Sequence, residues 1–372
     1  MSHSAAAANF LDRYIGRALC AALSPFGRRS GAARPAAPRR ILLMKFWEGG
    51  LITLATPWCR ALRRRYPGAE IHFLTLDANA GLCELLGVAD SVRPLPAGGG
   101  LPAFVLSAAA ALPALRRQKY DMLLNLDFFS RFSALLAFLI GPRWACALSL
   151  PGLERGAFFD LEIPFARDRH IAENFAAFFA AVGAEAGPED RRPPRPDPAL
   201  LRDLPLPDGP FVVLNFDRSD VLPERAWPRG HCLELAGLLL DRTPYKVAAI
   251  SQRPASLPAR PGLFDISGEL DYFRLAALFA RAELFVTHDC GPLHLAAEMG
   301  CRTLSIFGPE AAARYAPRGP LHRSLDLGLP CSPCIDPMAG KRLRCRRAAN
   351  DCVRGITPQT VFGAITEILP PR

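Results

Sequence analysis

Short apolar runs alternate with longer segments of helical period along most of this chain. In the first half, the pattern predicts strands at 40–45, 70–76, 92–95 and 121–126. It restarts in the second half, with strands predicted at 211–215, 245–250, 284–286 and 301–309 and helices at 231–240, 271–281 and from Thr357 onward. Strands that alternate with helices predict an α/β protein whose parallel sheets are covered by helices on both faces.

Eight prolines lie among charged residues between 188 and 210, and this stretch predicts a linker. The chain then has five parts: an N-terminal segment (1–38), a first Rossmann-like domain (39–187), the linker (188–210), a second Rossmann-like domain (211–356) and a C-terminal helix (357–372). We expect the C-terminal helix to pack back on the first domain. Two doubly wound domains would hold a ligand in the cleft between them, at the carboxyl ends of the strands.

The N-terminal segment has an amphipathic pattern of its own. One helical face carries Leu11, Tyr14, Ile15, Ala18, Leu19, Ala22 and Leu23. The basic residues Arg28, Arg29, Arg34, Arg39 and Arg40 follow among Gly, Ala and Pro, and residues 1–45 carry eight basic residues against one Asp. This composition predicts a peripheral anchor on an anionic membrane surface. The alternative is a helix docked on the protein itself, followed by a solvated linker.

Composition excludes several other classes of protein. Half of the 372 residues are hydrophobic and 23 are Phe, so the chain is not disordered. No apolar run reaches the ~20 residues of a membrane span, and the N-terminus lacks a secretion signal. Eleven scattered cysteines fit a reducing cytoplasm. The net charge is +10, but the basic residues are not interleaved with aromatics, so nucleic acid is not an expected partner.

The strongest chemical signal follows the strand at 284–286. Asp289-Cys290-Gly291-Pro292 forms a turn, and helical spacing begins at Leu293. Backbone N–H groups and the helix dipole would then face a phosphate, with Asp289 near a ribose hydroxyl and His294 in the first helical turn. The alternative is an ordinary strand–helix–strand crossover whose Asp caps the helix. Neither half shows a GxGxxG turn, which argues against an NAD(P)-dependent oxidoreductase.

Over residues 39–370 the chain resembles the heptosyltransferase-like glycosyltransferases of family 9. The matching segments, in order, are Ile41 to Lys45 leading through Gly50 to Pro57, then 60–67, 225–228, 289–297 and 307–309. The resemblance implies the GT-B fold, in which two Rossmann-like doubly wound domains face each other across a cleft. It also implies inverting sugar transfer without a catalytic metal or other cofactor. The donor would be a nucleotide-diphosphate sugar such as ADP-heptose. The acceptor would be an anionic lipopolysaccharide or related lipid-linked glycan at the inner face of the cytoplasmic membrane.

The resemblance also implies a donor site in the second domain. Without a metal, the departing diphosphate must be neutralised by protein donors. The expected donor-binding residues are Asn215, Asp217, Arg225, Asp289, Cys290, Gly291 and His294. Arg225 stands where family members usually carry Lys, so the charge is kept while the geometry of the donor group differs. Trp227 nearby is expected to be a packing residue.

The general base is the main departure from the family pattern. Inverting transfer needs a carboxylate that deprotonates the acceptor hydroxyl. The family places an Asp directly after the glycine that corresponds to Gly50, where this chain has Leu51. The candidate catalytic bases are therefore Glu48 and Asp127, and the candidate acceptor-binding residues are Lys45, Gly50 and Arg131. The alternative function is a catalytically silent nucleotide-sugar-binding or assembly protein that has lost its base.

Four cysteines form a separate group in a basic segment. Cys331 and Cys334 have the CxxC spacing of half a zinc site, but the spacings to Cys345 and Cys352 are not those of a standard finger. A structural zinc held by these four residues is one interpretation. Reduced thiols packed in a loop, or a partial disulfide, are the others.

Overall fold

The computed structural model describes residues 12–28, 32–217, 222–335, 345 and 350–369. The chain divides into two compact units, Met1–Arg192 and Pro193–Arg372. The division falls inside the proline-rich stretch 188–210, where the chain forms two short 3-10 turns, Pro188–Arg191 and Pro198–Leu201. Each unit holds one sheet, so the fold is described below for each unit by itself.

The first unit is built on a parallel six-stranded sheet. Its strands are β1 (Arg40–Met44), β2 (Glu70–Leu76), β3 (Ser91–Leu95), β4 (Met122–Asn125), β5 (Trp144–Ser149) and β6 (Leu161–Pro164). Their order is β3-β2-β1-β4-β5-β6, with Leu42 of β1 opposite His72 of β2 and Leu123 of β4. The chain thus reverses direction across the sheet between β1 and β4, and in doubly wound sheets the ligand site lies at the carboxyl ends of those strands.

Six helices cover this sheet. They are α1 (Arg17–Leu23), which follows a π-helical turn at Asp12–Gly16, α2 (Gly49–Arg65), α3 (Ala80–Leu86), α4 (Gly100–Arg117), α5 (Arg131–Ile140) and α6 (Ile171–Ala181). Local chemistry sets several of their ends. Ser130 caps α5 by accepting from the Ser133 N–H at 3.2 Å, and Gly141 ends it in the left-handed conformation.

The second unit repeats the plan. Its strands are β7 (Phe211–Asn215), β8 (Lys246–Ile250), β9 (Leu263–Asp265), β10 (Leu284–His288), β11 (Thr303–Ile306) and β12 (His322–Leu325), in the order β12-β11-β10-β7-β8-β9. Its helices are α7 (Arg229–Arg242), α8 (Tyr272–Arg281), α9 (Gly291–Glu298), α10 (Ala312–Tyr315), α11 (Asp351–Arg354) and α12 (Pro358–Ile368). The point of reversal lies between β7 and β10. The predicted fold class, α/β with two doubly wound parallel sheets, is confirmed.

The C-terminal helix has a partner within its own unit. α12 packs against α7, and its packing on the first domain stays a prediction. Its buried residues Val361, Ala364 and Ile365 share one hydrophobic core with Leu235 and Leu239 of α7. The reason is the spacing of its apolar residues, which forms a stripe along one side that matches the apolar side of α7.

The N-terminal helix is docked on the first unit. Cys20 of α1 is 2% exposed and belongs to the same core as the strands. The Oδ1 of Asp12 accepts from the Phe132 N–H at the start of α5, at 2.9 Å. Leu11, from the predicted apolar face, lies outside the described residues. No helix in the described part of the chain is long and apolar enough to cross a bilayer.

The stretch after this helix corrects the expectation of a solvated tether. Arg28 forms an ion pair with Asp160 at 2.6 Å, and Arg34 donates to the Ala181 carbonyl oxygen at 2.9 Å. Arg29 lies outside the described residues. The described part of the segment is held against the unit because its basic side chains have specific acceptors there.

Candidate active site

The carboxyl ends of β7 and β10 meet at the point of reversal in the second sheet. Asn215 ends β7, and its Nδ2 donates to the hydroxyl of Thr287 on β10 at 2.9 Å. The Oδ1 of Asn215 accepts from the Asp217 N–H at 2.9 Å, which fixes the loop that leaves β7. Asn215 therefore ties together the two loops that border this edge of the sheet.

The turn after β10 leads directly into helix α9. Cys290 has extended backbone at the helix cap and Pro292 lies in the first turn, so the N-terminus of α9 begins at this edge of the sheet. Gly291 is exposed there, whereas His294 is 5% exposed. Burial raises the pKa of the Cys290 thiol to about 12, so this group adds no negative charge beside the helix N-terminus. The arrangement suits a phosphate, as the sequence predicts.

Arg225 supplies the positive charge of this site and is held between two carboxylates. Its Nε lies 3.3 Å from Oδ2 of Asp289, and its Nη2 donates to Oε1 of Glu310 at 3.0 Å. The Asp289 N–H donates to the Ile306 carbonyl oxygen at 3.1 Å, which places the carboxylate beside the end of β11. The guanidinium is thus positioned at the same sheet edge as the first turn of α9.

Sequence reasoning missed Glu310. It follows Gly308-Pro309 after β11, the strand beside β10, and it is 2% exposed. Burial raises the pKa of Glu310 to about 7, although Arg225 opposes the shift. The sequence signal that could have pointed to Glu310 is its position at the carboxyl end of a strand next to β10. Its pairing with Arg225, 85 positions away, could not be predicted from the sequence.

Two further side chains near this edge are structural. His288 is 1% exposed, and burial lowers its pKa to about 4, so the imidazole is neutral at physiological pH. Trp227 is 5% exposed, and its indole N–H donates to the Ile356 carbonyl oxygen at 2.8 Å. The prediction that Trp227 is a packing residue is confirmed.

In the first unit, Lys45 and Asp127 form a buried ion pair. The Nζ of Lys45 lies 2.7 Å from Oδ1 of Asp127, and both side chains are fully buried. The other Asp127 oxygen accepts from the Phe46 N–H at 2.9 Å, and Lys45 also donates to the Trp47 carbonyl oxygen at 2.5 Å. Burial lowers the pKa of Lys45, with Asp127 acting in the opposite direction.

This pair involves two of the predicted site residues. Asp127, a candidate base, and Lys45, a candidate acceptor-binding residue, are both 0% exposed, and their roles stay predictions. Their polar atoms are directed at each other and at the backbone of residues 46–47. Both residues hold the loop that follows β1 against the loop that follows β4.

Glu48 lies at the end of that same loop, at the cap of α2. Its φ is +64°, a left-handed conformation that costs of order 1 kcal/mol for a residue with a side chain. Asn79 helps to hold the loop, because its Nδ2 donates to the Phe46 carbonyl oxygen at 3.0 Å. A Cβ at Gly49 would lie 2.7 Å from Oδ1 of Asn79, so a side chain there would displace Asn79. Glu48 is half-buried at the point of reversal of the first sheet.

The other first-unit candidates have mixed outcomes. Leu51, where the family pattern has Asp, is 3% exposed and packs inside. Gly50 is half-buried in the first turn of α2. Arg131 is 8% exposed, its Nε donates to the Glu154 carbonyl oxygen at 2.9 Å, and its Nη1 lies 3.7 Å from Oδ2 of Asp12. These donors serve internal contacts, and acceptor binding by Arg131 stays a prediction.

The four cysteines gather near the end of β11. Cys334, Cys345 and Cys352 line one pocket, and the Cys334 N–H donates to the Pro309 carbonyl oxygen at 2.9 Å. Cys331 is exposed. Among the described residues, no group of three or more His, Cys, Asp or Glu is arranged to hold a metal ion. The structural zinc therefore stays a prediction.

Two sheets of Rossmann strand order, with a helix N-terminus and a held guanidinium at one point of reversal, define a doubly wound α/β protein with two compact units. The family model described as glycosyltransferase family 9 (heptosyltransferase) matches residues 109–339, which is more than half of the chain. The chain belongs to glycosyltransferase family 9. It is a heptosyltransferase-type glycosyltransferase, and its predicted GT-B fold class is confirmed.

Individual relatives agree with this assignment. Lipopolysaccharide heptosyltransferase 1 of Pseudomonas aeruginosa is 28% identical over 183 residues, which is 48% of this chain and 51% of that protein. The protein of the same name in Escherichia coli is 21% identical over 286 residues, 73% of this chain and 88% of its own length. The solved structure of the E. coli heptosyltransferase WaaC with ADP-2-deoxy-2-fluoro heptose has a TM-score of 0.64 at 18% identity, covering 89% of this chain and 100% of that chain.

Proposed function

We propose that this chain moves a heptose or related sugar from an ADP-heptose-like donor to a lipopolysaccharide-type or other lipid-linked glycan acceptor. The reaction would invert the anomeric centre and would use no catalytic metal. The observation that carries the proposal is Arg225, which Asp289 and Glu310 hold at the same sheet edge as the N-terminus of α9. The protein would act at the inner face of the cytoplasmic membrane, where such acceptors are built.

The second unit would bind the donor and stabilise its leaving group. The diphosphate gains negative charge as the bond from the sugar to the phosphate oxygen breaks. Preorganised N–H groups and a guanidinium stabilise that charge without reorganisation during the reaction. The first turn of α9 and Arg225 provide these groups, and Asp289 keeps the guanidinium in place. Asn215 and Asp217 border the same edge and would contact the sugar or ribose.

The first unit would supply the base. Glu48 takes the proton of the acceptor hydroxyl. At the same time the hydroxyl oxygen forms the new bond to the anomeric carbon, and the nucleoside diphosphate departs from the opposite face. The half-buried setting of Glu48 and its left-handed backbone at the end of the loop after β1 support this assignment. Because Asp127 is buried, Glu48 is the more suitable of the two candidate bases.

A second candidate function has one observation in its favour. Leu51 packs inside the first unit where the family carries its base, so the chain could bind a nucleotide sugar without transferring it. Incubation with a panel of nucleotide sugars and a truncated lipopolysaccharide acceptor separates the two functions. Product formation supports the enzyme. Tight donor binding without transfer or hydrolysis supports the silent binding protein.

Replacing Arg225 with Ala is expected to weaken donor binding by about 1–3 kcal/mol, because a charge-assisted hydrogen bond to the diphosphate is lost. Asp289→Ala is expected to weaken donor binding by a similar amount, because it releases the guanidinium of Arg225. Titration calorimetry with ADP measures both. Arg225→Lys should recover part of the affinity, and Arg242→Ala, at an exposed site at the end of α7, is the control. Unchanged ADP affinity in Arg225→Ala and Asp289→Ala would remove the proposed donor site.

Donor affinity is expected to fall as the pH rises through about 7, where Glu310 loses its proton. The diphosphate would favour the protonated carboxyl, because an ionised Glu310 repels the anion and competes for Arg225. If donor binding raises the pKa of Glu310 by one unit, affinity falls about tenfold over this range. The measurement is the dissociation constant of an ADP-sugar, whose phosphates stay ionised throughout.

Glu310→Gln should remove this pH dependence while keeping high affinity at alkaline pH. Glu269→Gln, at an exposed site of the same unit, should keep the wild-type profile. If donor affinity still falls with rising pH in Glu310→Gln, a group other than Glu310 causes the pH dependence.

A further inference from the structure

One side of the first unit carries an unusual set of exposed apolar residues. The π-helical turn and α1 both contact α5, and α5 contacts α4, so three neighbouring helical elements form one layer. Their inward residues, among them Cys20, Phe104, Ala134 and Ala137, enter a single core with β1 and β4. We call the exposed side of this layer, formed by residues 13–26, 100–117 and 131–140, the outer helical face.

The outer helical face concentrates the large apolar side chains that are left exposed. Ten such residues occur in the described part of the chain, and seven of them lie on this face. They are Tyr14, Ile15, Leu19, Phe26, Val105, Leu106 and Leu139. Phe26 is 75% exposed and Leu106 is 69% exposed, so these side chains are far from the core. Exposed apolar residues scattered singly need no explanation, but a concentration of this kind marks an interaction surface.

The π-helical turn and α1 show how this surface arises. They dock through Gly16 and Cys20, which are buried, while Tyr14, Ile15 and Leu19 remain about half exposed. These three residues belong to the apolar side that the sequence predicts for the helix. The segment is therefore attached to the unit by small residues and by Leu23, which packs against the core, while Tyr14, Ile15 and Leu19 stay exposed.

Charge identifies the partner. The three segments of the outer helical face contain no Asp or Glu. Their exposed charged residues are all basic, namely Arg13, Arg17, Arg116 and Arg117. Arg17 lies 3.6 Å from the exposed carboxylate of Glu154, whereas no ion pair is seen for the other three within the described residues. A surface that combines exposed apolar side chains with an excess of basic residues is complementary to an anionic lipid bilayer, in which the apolar groups enter the headgroup boundary and the arginines meet lipid phosphates.

We infer that the outer helical face is a preformed membrane-docking surface that binds anionic phospholipid. It differs from a flexible N-terminal anchor because α4 and α5 contribute to it and because α1 is fixed on the unit. The inference rests on the proposed function in one respect, since a lipid-linked acceptor gives the enzyme a reason to dock. Docking itself requires neither donor nor acceptor.

The test is cosedimentation of the full chain with vesicles of phosphatidylglycerol and phosphatidylcholine, compared with vesicles of phosphatidylcholine alone. We expect binding to the anionic vesicles that weakens as salt increases. The variants Ile15→Glu and Leu106→Glu should each reduce the partition coefficient by about 10–100-fold, because each removes one apolar side chain from the bilayer boundary. Arg116→Gln combined with Arg117→Gln should reduce both binding and its salt dependence.

Phe273→Glu is the matched control, because Phe273 is an exposed large apolar residue of the second unit. It should bind vesicles as the wild type does. Because all these positions are exposed, thermal unfolding should be unchanged, and Leu106→Gln offers a milder variant if Leu106→Glu unfolds. Sugar transfer to a delipidated acceptor should be unaffected by the outer-face variants, so this assay separates failure of docking from failure of the proposed function.

The inference would be overturned if the wild-type protein did not bind anionic vesicles, or if the variants bound them as well as the wild type does. A dimer in solution that Ile15→Glu and Leu106→Glu dissociate, with vesicle binding unchanged, would also overturn it. The outer helical face would then be an interface between two copies of the chain.

Discussion

Glu48→Gln is expected to reduce turnover by about 10²–10⁴-fold, while the affinity for ADP stays near that of the wild type. The substitution keeps the size and the hydrogen-bonding capacity of the side chain but cannot accept the acceptor proton. Because Glu48 lies in the first unit and the proposed donor groups lie in the second, the loss should fall on the turnover number and not on donor binding. Initial rates at saturating donor, together with calorimetry for ADP, make this measurement.

The control is Glu84→Gln, which changes an exposed carboxylate on α3 of the same unit. It should leave turnover within about twofold, since surface substitutions away from a site have small effects. Full activity of Glu48→Gln would show that Glu48 is not the base. If the wild type binds ADP-sugar but transfers nothing, the silent binding protein becomes the better description.

Lys45→Met is expected to destabilise the first unit by about 3–5 kcal/mol, because it leaves the Asp127 carboxylate buried without its cation. Urea unfolding followed by circular dichroism measures the loss. As a comparison, Arg40→Met removes one partner of the Arg40–Glu70 pair, whose side chains are 43% and 47% exposed. The ion pair itself contributes at most about 1 kcal/mol there.

The double variant Lys45→Met with Asp127→Asn separates pairing from catalysis. Its loss of stability should be smaller than the sum of the two single losses, since the residues interact directly. Turnover per folded molecule should be retained in Asp127→Asn, which can still accept from the Phe46 N–H. If Asp127→Asn is fully stable but inactive, Asp127 is the base after all.

Local sequence predicted the parts of the fold whose signals are continuous in the chain. β1, β2, β7, β8 and β10 are apolar runs bounded by turns, and Thr357 caps α12 by accepting from the Thr360 N–H, with Pro358 at the first helical position as predicted. β5, β6, β9 and β12 were not predicted. A short apolar run such as that of β5 does not distinguish strand from helix by its period, and the other three are strands of three or four residues near the margins of their sheets.

The candidate site also has parts that could be predicted from local sequence and parts that could not. The turn that leads into α9, and the loop residues that leave β7, could be predicted because each lies within a few positions of a strand end. The setting of Asp127 could not be predicted. A carboxylate after a strand has the same local pattern whether it faces a ligand or pairs with a buried lysine, and Lys45 is 82 positions away.

By itself, the sequence determined the alternation of strands and helices, the proline-rich stretch within which the chain divides, and the turn at 289–292 that leads into α9. These depend on period, turn chemistry and helix capping, which act over a few residues. Only the tertiary structure decided that Arg131 serves internal contacts and that α12 belongs to the second unit. It also brought Glu310 to Arg225 and left Tyr14, Ile15 and Leu19 exposed. Burial and ion pairing join residues that are distant in the chain, so they exist only once the sheets and helices have packed.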